Sequence, residues 1–257
     1  FIQLLGGLGV MVVVAGAWPL LMALTPAASR PWISGTTDNS IWSLISGYNG
    51  LGRLNGQTGG PGGGMGGPGG GAGGVFGGST GITRLMNSAM GPQVGWFLGF
   101  AAVSAGAIAF FTRLRPRDRN TGWVIAVGGS FATIVLAFSY AKGIFHPYYS
   151  SQLAPFTAML VGGGVGVFTD ADRGVPQQWR SWAAAAAIVA GMVTSVWALK
   201  NASADQMDFW QVILVAICLS AAAALVVAGD EPKVRNLALA GALCALLVAP
   251  GIWSVNT

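Results

Sequence analysis

Apolar positions in this chain neither alternate nor keep to one stripe of a helix; they run in blocks. Seven stretches, at about 4–24, 94–112, 122–141, 150–168, 181–199, 209–228 and 235–253, are rich in Ala, Val, Leu and Gly and nearly free of charge. A hydrocarbon layer about 30 Å thick takes about 20 helical residues to cross. Each block therefore predicts a membrane-crossing helix rather than an amphipathic helix on a soluble core. Trp96, Trp123, Trp182, Trp210 and Trp253 stand near block ends, where an indole finds an apolar neighbour on one side and water on the other.

The polar residues between the blocks predict the threading. Residues 113–119 hold four arginines, and with Arg173, Arg180, Lys233 and Arg235 the loops on that side carry eight basic residues. The loops on the other side, much longer in total, carry Arg30, Arg53, Arg84, Lys142 and Lys200. Excess Lys and Arg in short loops marks the cytoplasmic face, which makes 27–93 and 142–149 extracytoplasmic. The predicted fold is an all-α integral membrane protein with about seven transmembrane helices. It divides into a helix at 1–26, a large extracytoplasmic loop at 27–93 and a six-helix transmembrane region at 94–257.

Within the long loop, apolar Ile41, Trp42, Leu44 and Ile45 predict a short interfacial helix, with Asn39 or Ser40 as its N-cap. Gly47 to Leu54 reads as turn and exit. From Gly56 to Gly78 the chain is nearly all glycine, broken by Pro61, Met65, Pro68 and Phe76. Such a run cannot offset its ordering entropy and is expected to be a flexible strap. It lacks the Gly-Lys-Ser/Thr ending and the strand–loop–helix setting of a phosphate-cradling loop. A second short helix is expected at 83–90.

Composition sharpens the class. Hydrophobic residues make up 53% of the 257 and charged ones 8%, against about a quarter charged in a soluble domain. The net charge of +5, from 13 Lys and Arg against 8 Asp and Glu, reports topology and not nucleic-acid binding. Cys218 and Cys244 lie inside apolar blocks and read as small core residues. With a single histidine, His146, no histidine metal cluster can form. The blocks hold essentially no ionisable residues, which argues against an ion-coupled transporter. The chain begins at Phe1 and stops soon after an apolar block, so it is expected to be an excerpt of a longer protein.

Candidate chemistry gathers outside the blocks. Lys142, His146, Tyr148 and Tyr149 fall in one short turn. Tyr and Lys at span ends commonly serve as interfacial anchors. A cation beside an imidazole at headgroup depth equally suits the phosphate of a lipid-linked substrate. Asp38 fits either a general base or a cap on the helix after it. Arg53 and Arg84 fit either phosphate contact or a solvated rim.

The strings Asp38-Asn39-Ser40, Gly47-Tyr48-Asn49-Gly50-Leu51-Gly52-Arg53 and Phe145-His146-Pro147-Tyr148-Tyr149 resemble membrane glycosyltransferases of the GT-C superfamily. The likeness is to the protein-mannosyltransferase and aminoarabinose-transferase-like group, glycosyltransferase family 39, and within it to mannosyltransferase-like proteins of actinobacteria. It is dense over residues 18–165 and afterwards rests on hydropathy. The resemblance implies an inverting transfer of a sugar, a mannose-like hexose or a pentose, from a polyprenyl-phosphate donor to an extracytoplasmic acceptor in the bacterial cell (plasma) membrane. It implies that these residues are the cavity-shaping C-terminal half, with the catalytic acidic residue outside this chain. On that reading Lys142, His146 and Arg53 are donor-phosphate candidates. Asp38, Asn39, Tyr48, Asn49, Tyr148 and Tyr149 are candidates for the sugar and acceptor pocket, and the strap is a lid. Expected partners are the lipid-linked sugar, the bilayer, and the rest of the same polypeptide or a partner membrane subunit. No cofactor is required by these residues; a divalent metal stays open, since some members of the family use one. Two other readings stand beside this one: a non-catalytic membrane subunit or scaffold, and a flippase for lipid-linked sugars.

Overall fold

The first apolar block forms α1, Ile2–Leu24, and only Met22 on it is buried. A helix apolar on every face and covered on almost none is a surface for hydrocarbon. The computed structural model describes residues 1–56, 77–143, 145–170, 174–202 and 208–256, and no strand occurs among them. Apart from Gly56, Gly77 and Gly78, the strap lies outside the described residues, as do Asp172 and Arg173. The chain forms two units: Phe1–Thr80 with Tyr140–His146, and Gly81–Ser139 with Pro147–Thr257.

In the first unit the chain leaves α1 through Thr25 and Pro26 into a tight turn, Ala27–Ser29. Arg30 then folds back. Its guanidinium donates to the carbonyls of Met22 and Asn39, and to that of Thr25 at 3.1 Å. A cation there satisfies acceptors that the last helical turn leaves without partners. Met22, Ile33 and Ile41 pack into a small core with Ala23 and Leu44. The expected interfacial helix is present in altered form. After Ile41 and Trp42, residues Ser43–Tyr48 make a wider π-helical turn, with the Asn49 N–H on the Leu44 carbonyl at 2.8 Å. One α-turn, α2, follows at Gly52–Asn55.

The second unit is a helix bundle. Its described helices are α3 (Gly91–Val94), α4 (Leu98–Thr112), α5 (Arg119–Tyr140, through Ser139), α6 (Ala154–Thr169), α7 (Gln177–Asn201), α8 (Asp208–Ala228) and α9 (Pro232–Asn256). The central element is α7, which packs against α4, α6, α8 and α9. Its alanine run explains why: Ala184 and Ala187 are fully buried and let neighbouring backbones come close. Phe100 and Phe168, both fully buried, meet edge-on at 6.4 Å.

Two expectations change here. Among the described residues six helices are long and apolar enough to cross a membrane, and the block expected at 94–112 is not one of them. It splits into α3 and the 15-residue α4, which is about 22 Å long at 1.5 Å per residue. The break falls at 95–97, where Phe97 takes a left-handed backbone with φ 59° and the Trp96 indole donates to the Pro92 carbonyl at 2.8 Å. The N–H that Gly99 would otherwise leave unpaired in the first turn of α4 goes to Thr194 on α7 at 3.2 Å. The helix expected at 83–90 is likewise a single 3₁₀ turn, Arg84–Met86. Asn87 ends it by accepting the N–H groups of Ala89 and Met90 on its side-chain oxygen, at 3.0 and 2.8 Å.

Buried or half-buried polar side chains tie off the helix ends. Arg84, 1% exposed, donates to the Phe138 carbonyl at 3.2 Å, and Asn201 to that of Met86 at 2.6 Å. At the other end of the bundle Arg235 reaches the carbonyls of Gly229, at 3.3 Å, and Thr169, at 3.5 Å. Burial pulls the Arg84 guanidinium below its ordinary value. Arg84, named in the sequence as a candidate rim or phosphate contact, is thus a buried brace on the end of α5.

Candidate functional site

Most of the candidate residues fall in the first unit, and a backbone pairing collects them. The N–H of Lys142 donates to the Leu54 carbonyl and that of Gly143 to the Arg53 carbonyl, both at 3.0 Å. A segment far along the chain is thereby laid against α2. The approach is close enough to need glycine: a Cβ on Gly143 would lie 2.6 Å from the Arg53 Cα and 2.7 Å from the Gly52 carbonyl oxygen. Lys142 is exposed, His146 is half-buried, and Phe145 between them is buried.

Arg53 extends over Tyr48, its guanidinium carbon 5.3 Å from the ring centroid, and reaches the Asn49 side-chain oxygen at 3.5 Å. The Tyr48 ring in turn lies flat against Gly35, 3.0 Å from where a Cβ would be. Arg53 is therefore held on an aromatic face, an arrangement worth about 0.5–1 kcal/mol where water has access. What results is a half-buried cation beside a phenol and an amide, with a second cation on the adjoining segment. Guanidinium and ammonium groups bind phosphate oxygens; phenol and amide groups bond to hydroxyls.

Asp38 and Asn39 are engaged in the loop itself. The Asp38 carboxylate accepts the Ser43 hydroxyl at 2.7 Å and the Ser40 N–H at 3.0 Å. It thus braces the turn that leads into the helix at Ile41. Ser40, expected as a cap, accepts the Ser43 N–H at 3.5 Å. Asn39 does not cap. Its backbone is left-handed, φ 54°, and its buried amide bridges the loop, accepting from the Ile33 N–H at 2.7 Å and donating to the Ala27 carbonyl at 3.1 Å. That amide therefore braces the loop. Tyr148 and Tyr149 belong to the second unit, edge-to-face at 4.8 Å on the 3₁₀ turn Pro147–Leu153. Arg30 was missed as a structural residue, although a cation just past the end of an apolar helix is a recognised C-terminal signal. Among the described residues, no three His, Cys, Asp or Glu side chains come together.

The bonds to Asp38, that from Ser43 first and that from Ser40 next, hold its carboxyl below the ordinary carboxylate range. Its contribution is therefore present above the unfolded-state value and is lost as pH falls through the lower native one. Acidification into that range will loosen the Ser43 turn, read as faster cleavage between α1 and α2 by an acid-active protease. Asp38→Asn will show the loosened pattern already at neutral pH; a neutral-pH rate equal to wild type would remove Asp38 from this role.

Together the long apolar helices and the loop unit define an all-α, multi-pass membrane protein. The chain is a distant homologue of two curated proteins of Bacillus subtilis (strain 168). It is 27% identical to "Putative mannosyltransferase YkcB" across 98% of this chain and 46% of that protein. It is 28% identical to "Putative mannosyltransferase YycA" across 68% of this chain and 26% of that protein. The chain thus spans less than half the length of either relative. No family model and no solved structure gives a significant match.

Proposed function

We propose that this chain is the cavity-shaping part of a membrane glycosyltransferase that moves a mannose-like sugar from a polyprenyl-phosphate donor to an acceptor outside the cell. The observation that carries the reading is the similarity to YkcB over 98% of the chain. Support from the site is the gathering of Arg53, Tyr48 and Asn49 with the segment of Lys142 and His146 in one unit. In this reaction the bond from the sugar's anomeric carbon to the phosphate oxygen breaks. A bond to the acceptor oxygen forms from the opposite face, the acceptor proton goes to a carboxylate outside this chain, and polyprenyl phosphate leaves. The part of these residues is positioning and charge. Arg53, with Lys142 and His146, faces the phosphate as negative charge grows on it. Tyr48 and Asn49 bond to sugar hydroxyls. The same reading puts the protein in the cell membrane, with the 27–93 loop outside and the arginine-rich 113–119 loop inside.

The test is transfer of labelled sugar from a polyprenyl-phosphate donor by the full-length protein. Arg53→Gln will lower kcat/KM by about 10- to 100-fold, the effect of losing a charged hydrogen-bond partner. Alanine at Lys142 or His146 will lower donor turnover, and unchanged turnover in all three variants would sink the phosphate assignment. Complete absence of transfer by the wild type would favour the subunit reading, and acceleration of lipid scrambling in liposomes the flippase reading.

A further inference from the structure

The second unit holds a cavity of about 950 Å³ that the transfer reaction does not use. Its walls are the last turn of α4, then Arg113, Arg115 and Asp118, and the first turn of α7 with Trp179. The backbone there is arranged for those arginines. Arg113 and Leu114 are both left-handed, φ 51° and 48°, and the turn is held by the Arg115 N–H on the Thr112 carbonyl at 3.2 Å and the Leu114 N–H on the Thr112 hydroxyl at 3.3 Å. This reversal puts both Arg113 and Arg115 on the cavity wall. Asp118, the one carboxylate among the described lining residues, accepts the Asn120 N–H at 2.9 Å and the Asn120 amide at 3.1 Å on one oxygen. That carboxylate therefore caps α5, and among the described lining residues two arginines stand against it. The N-terminus of the 25-residue α7 on the opposite wall adds the positive end of its dipole.

Aromatic side chains fix the depth of the mouth. Phe110, Trp179 and Trp182 are exposed and form a chain of ring contacts, Phe110 to Trp179 at 6.3 Å and Trp179 to Trp182 at 5.7 Å. Exposed indoles at the ends of apolar helices lie at headgroup level. The abundant anion at that level is a lipid phosphodiester, and a guanidinium pair is the side-chain chemistry that grips one.

We propose that this cavity holds the headgroup phosphate of an anionic glycerophospholipid, gripped by Arg113 and Arg115, with the acyl chains passing over Phe110 and Trp179. The test uses the full chain in nanodiscs of phosphatidylcholine, alone or with phosphatidylglycerol, with retained lipid counted by native mass spectrometry. Wild type will retain phosphatidylglycerol in preference to phosphatidylcholine. The Arg113→Gln/Arg115→Gln variant will retain it about 30-fold less, the effect of two arginines at headgroup depth, with its melting midpoint in phosphatidylcholine alone unchanged. Arg117→Gln/Arg119→Gln, which alters the same loop off the cavity wall, will retain it as wild type does. If the glutamine pair unfolds, Arg113→Lys/Arg115→Lys keeps the charge, and lower retention at an unchanged midpoint supports the guanidinium grip. Equal retention by wild type and the wall variants, or equal loss in both glutamine pairs, overturns the proposal. So does displacement of the lipid by millimolar inorganic phosphate, which would assign the site to a free anion.

Discussion

In the glycosyltransferase proposed above, valine at Gly143 will lower sugar transfer by about 100-fold while leaving the helix bundle of the second unit folded. The Cβ would lie 2.6 Å from the Arg53 Cα, 2.7 Å from the Gly52 oxygen and 2.9 Å from the Arg53 oxygen. All three are backbone atoms, so no rotamer change relieves the contact and the two segments must part. Parting breaks the two 3.0 Å bonds from Lys142 and Gly143 to Leu54 and Arg53. Overpacking of this kind costs about 1–3 kcal/mol, and each lost bond about 1 kcal/mol more. A catalytic effect accompanies the energetic one, since a displacement of about 1 Å at positioning groups can cost about 100-fold in rate. Transfer assays on purified protein, paired with amide exchange over residues 50–56, separate the two parts. Faster exchange with lowered transfer is expected. Wild-type transfer with faster exchange would mean that the pairing does not position the donor.

Leucine at Gly99 will prevent the second unit from assembling. A Cβ there would lie 2.2 Å from the Ala190 carbonyl oxygen and 2.6 Å from its carbon, both backbone atoms of α7. The helices α4 and α7 would have to separate where the Gly99 N–H meets Thr194 and where Phe100 fills the core. The expected loss is well above the usual 1–3 kcal/mol of overpacking, because the opposing atoms cannot yield. Gly106 on the same helix supplies the control, since nothing lies within 4 Å of its Cβ position. Gly106→Ala should be neutral or gain up to about 1 kcal/mol of helix propensity. Thermal melting in detergent, with the folded yield from membranes, distinguishes the pair; equal behaviour would place the α4–α7 contact elsewhere.

The main features of the candidate site were legible in part. Arg53, Tyr48 and Asn49 lie within six residues of each other in sequence, so a local pattern suffices to bring them together, and it does. The pairing of Lys142 and Gly143 with Arg53 and Leu54 was not legible, because nothing near residue 53 encodes a partner near residue 142. Which of Asn39 and Ser40 caps the helix was not legible for a related reason. Beside Ser40, Asn39 has the chemistry of a helix cap, but a left-handed backbone turned its amide toward Ile33 and Ala27. Arg84 looks like a rim charge in an open loop, and only the docking of that loop on the end of α5 buries it.

By itself the sequence determined that this chain is helical, multi-pass and membrane-embedded. Hydrocarbon allows only helices or closed barrels, whose backbones are internally bonded, and continuous apolar blocks of about 20 residues fit the helix. The tertiary structure alone decided where one block breaks at 95–97, which arginines close helix ends, and how Lys142 comes to lie beside Arg53. Each of those outcomes turns on whether two backbones can approach within a bond's reach. That depends on which small residue meets which carbonyl across the fold, and hydropathy carries no record of it.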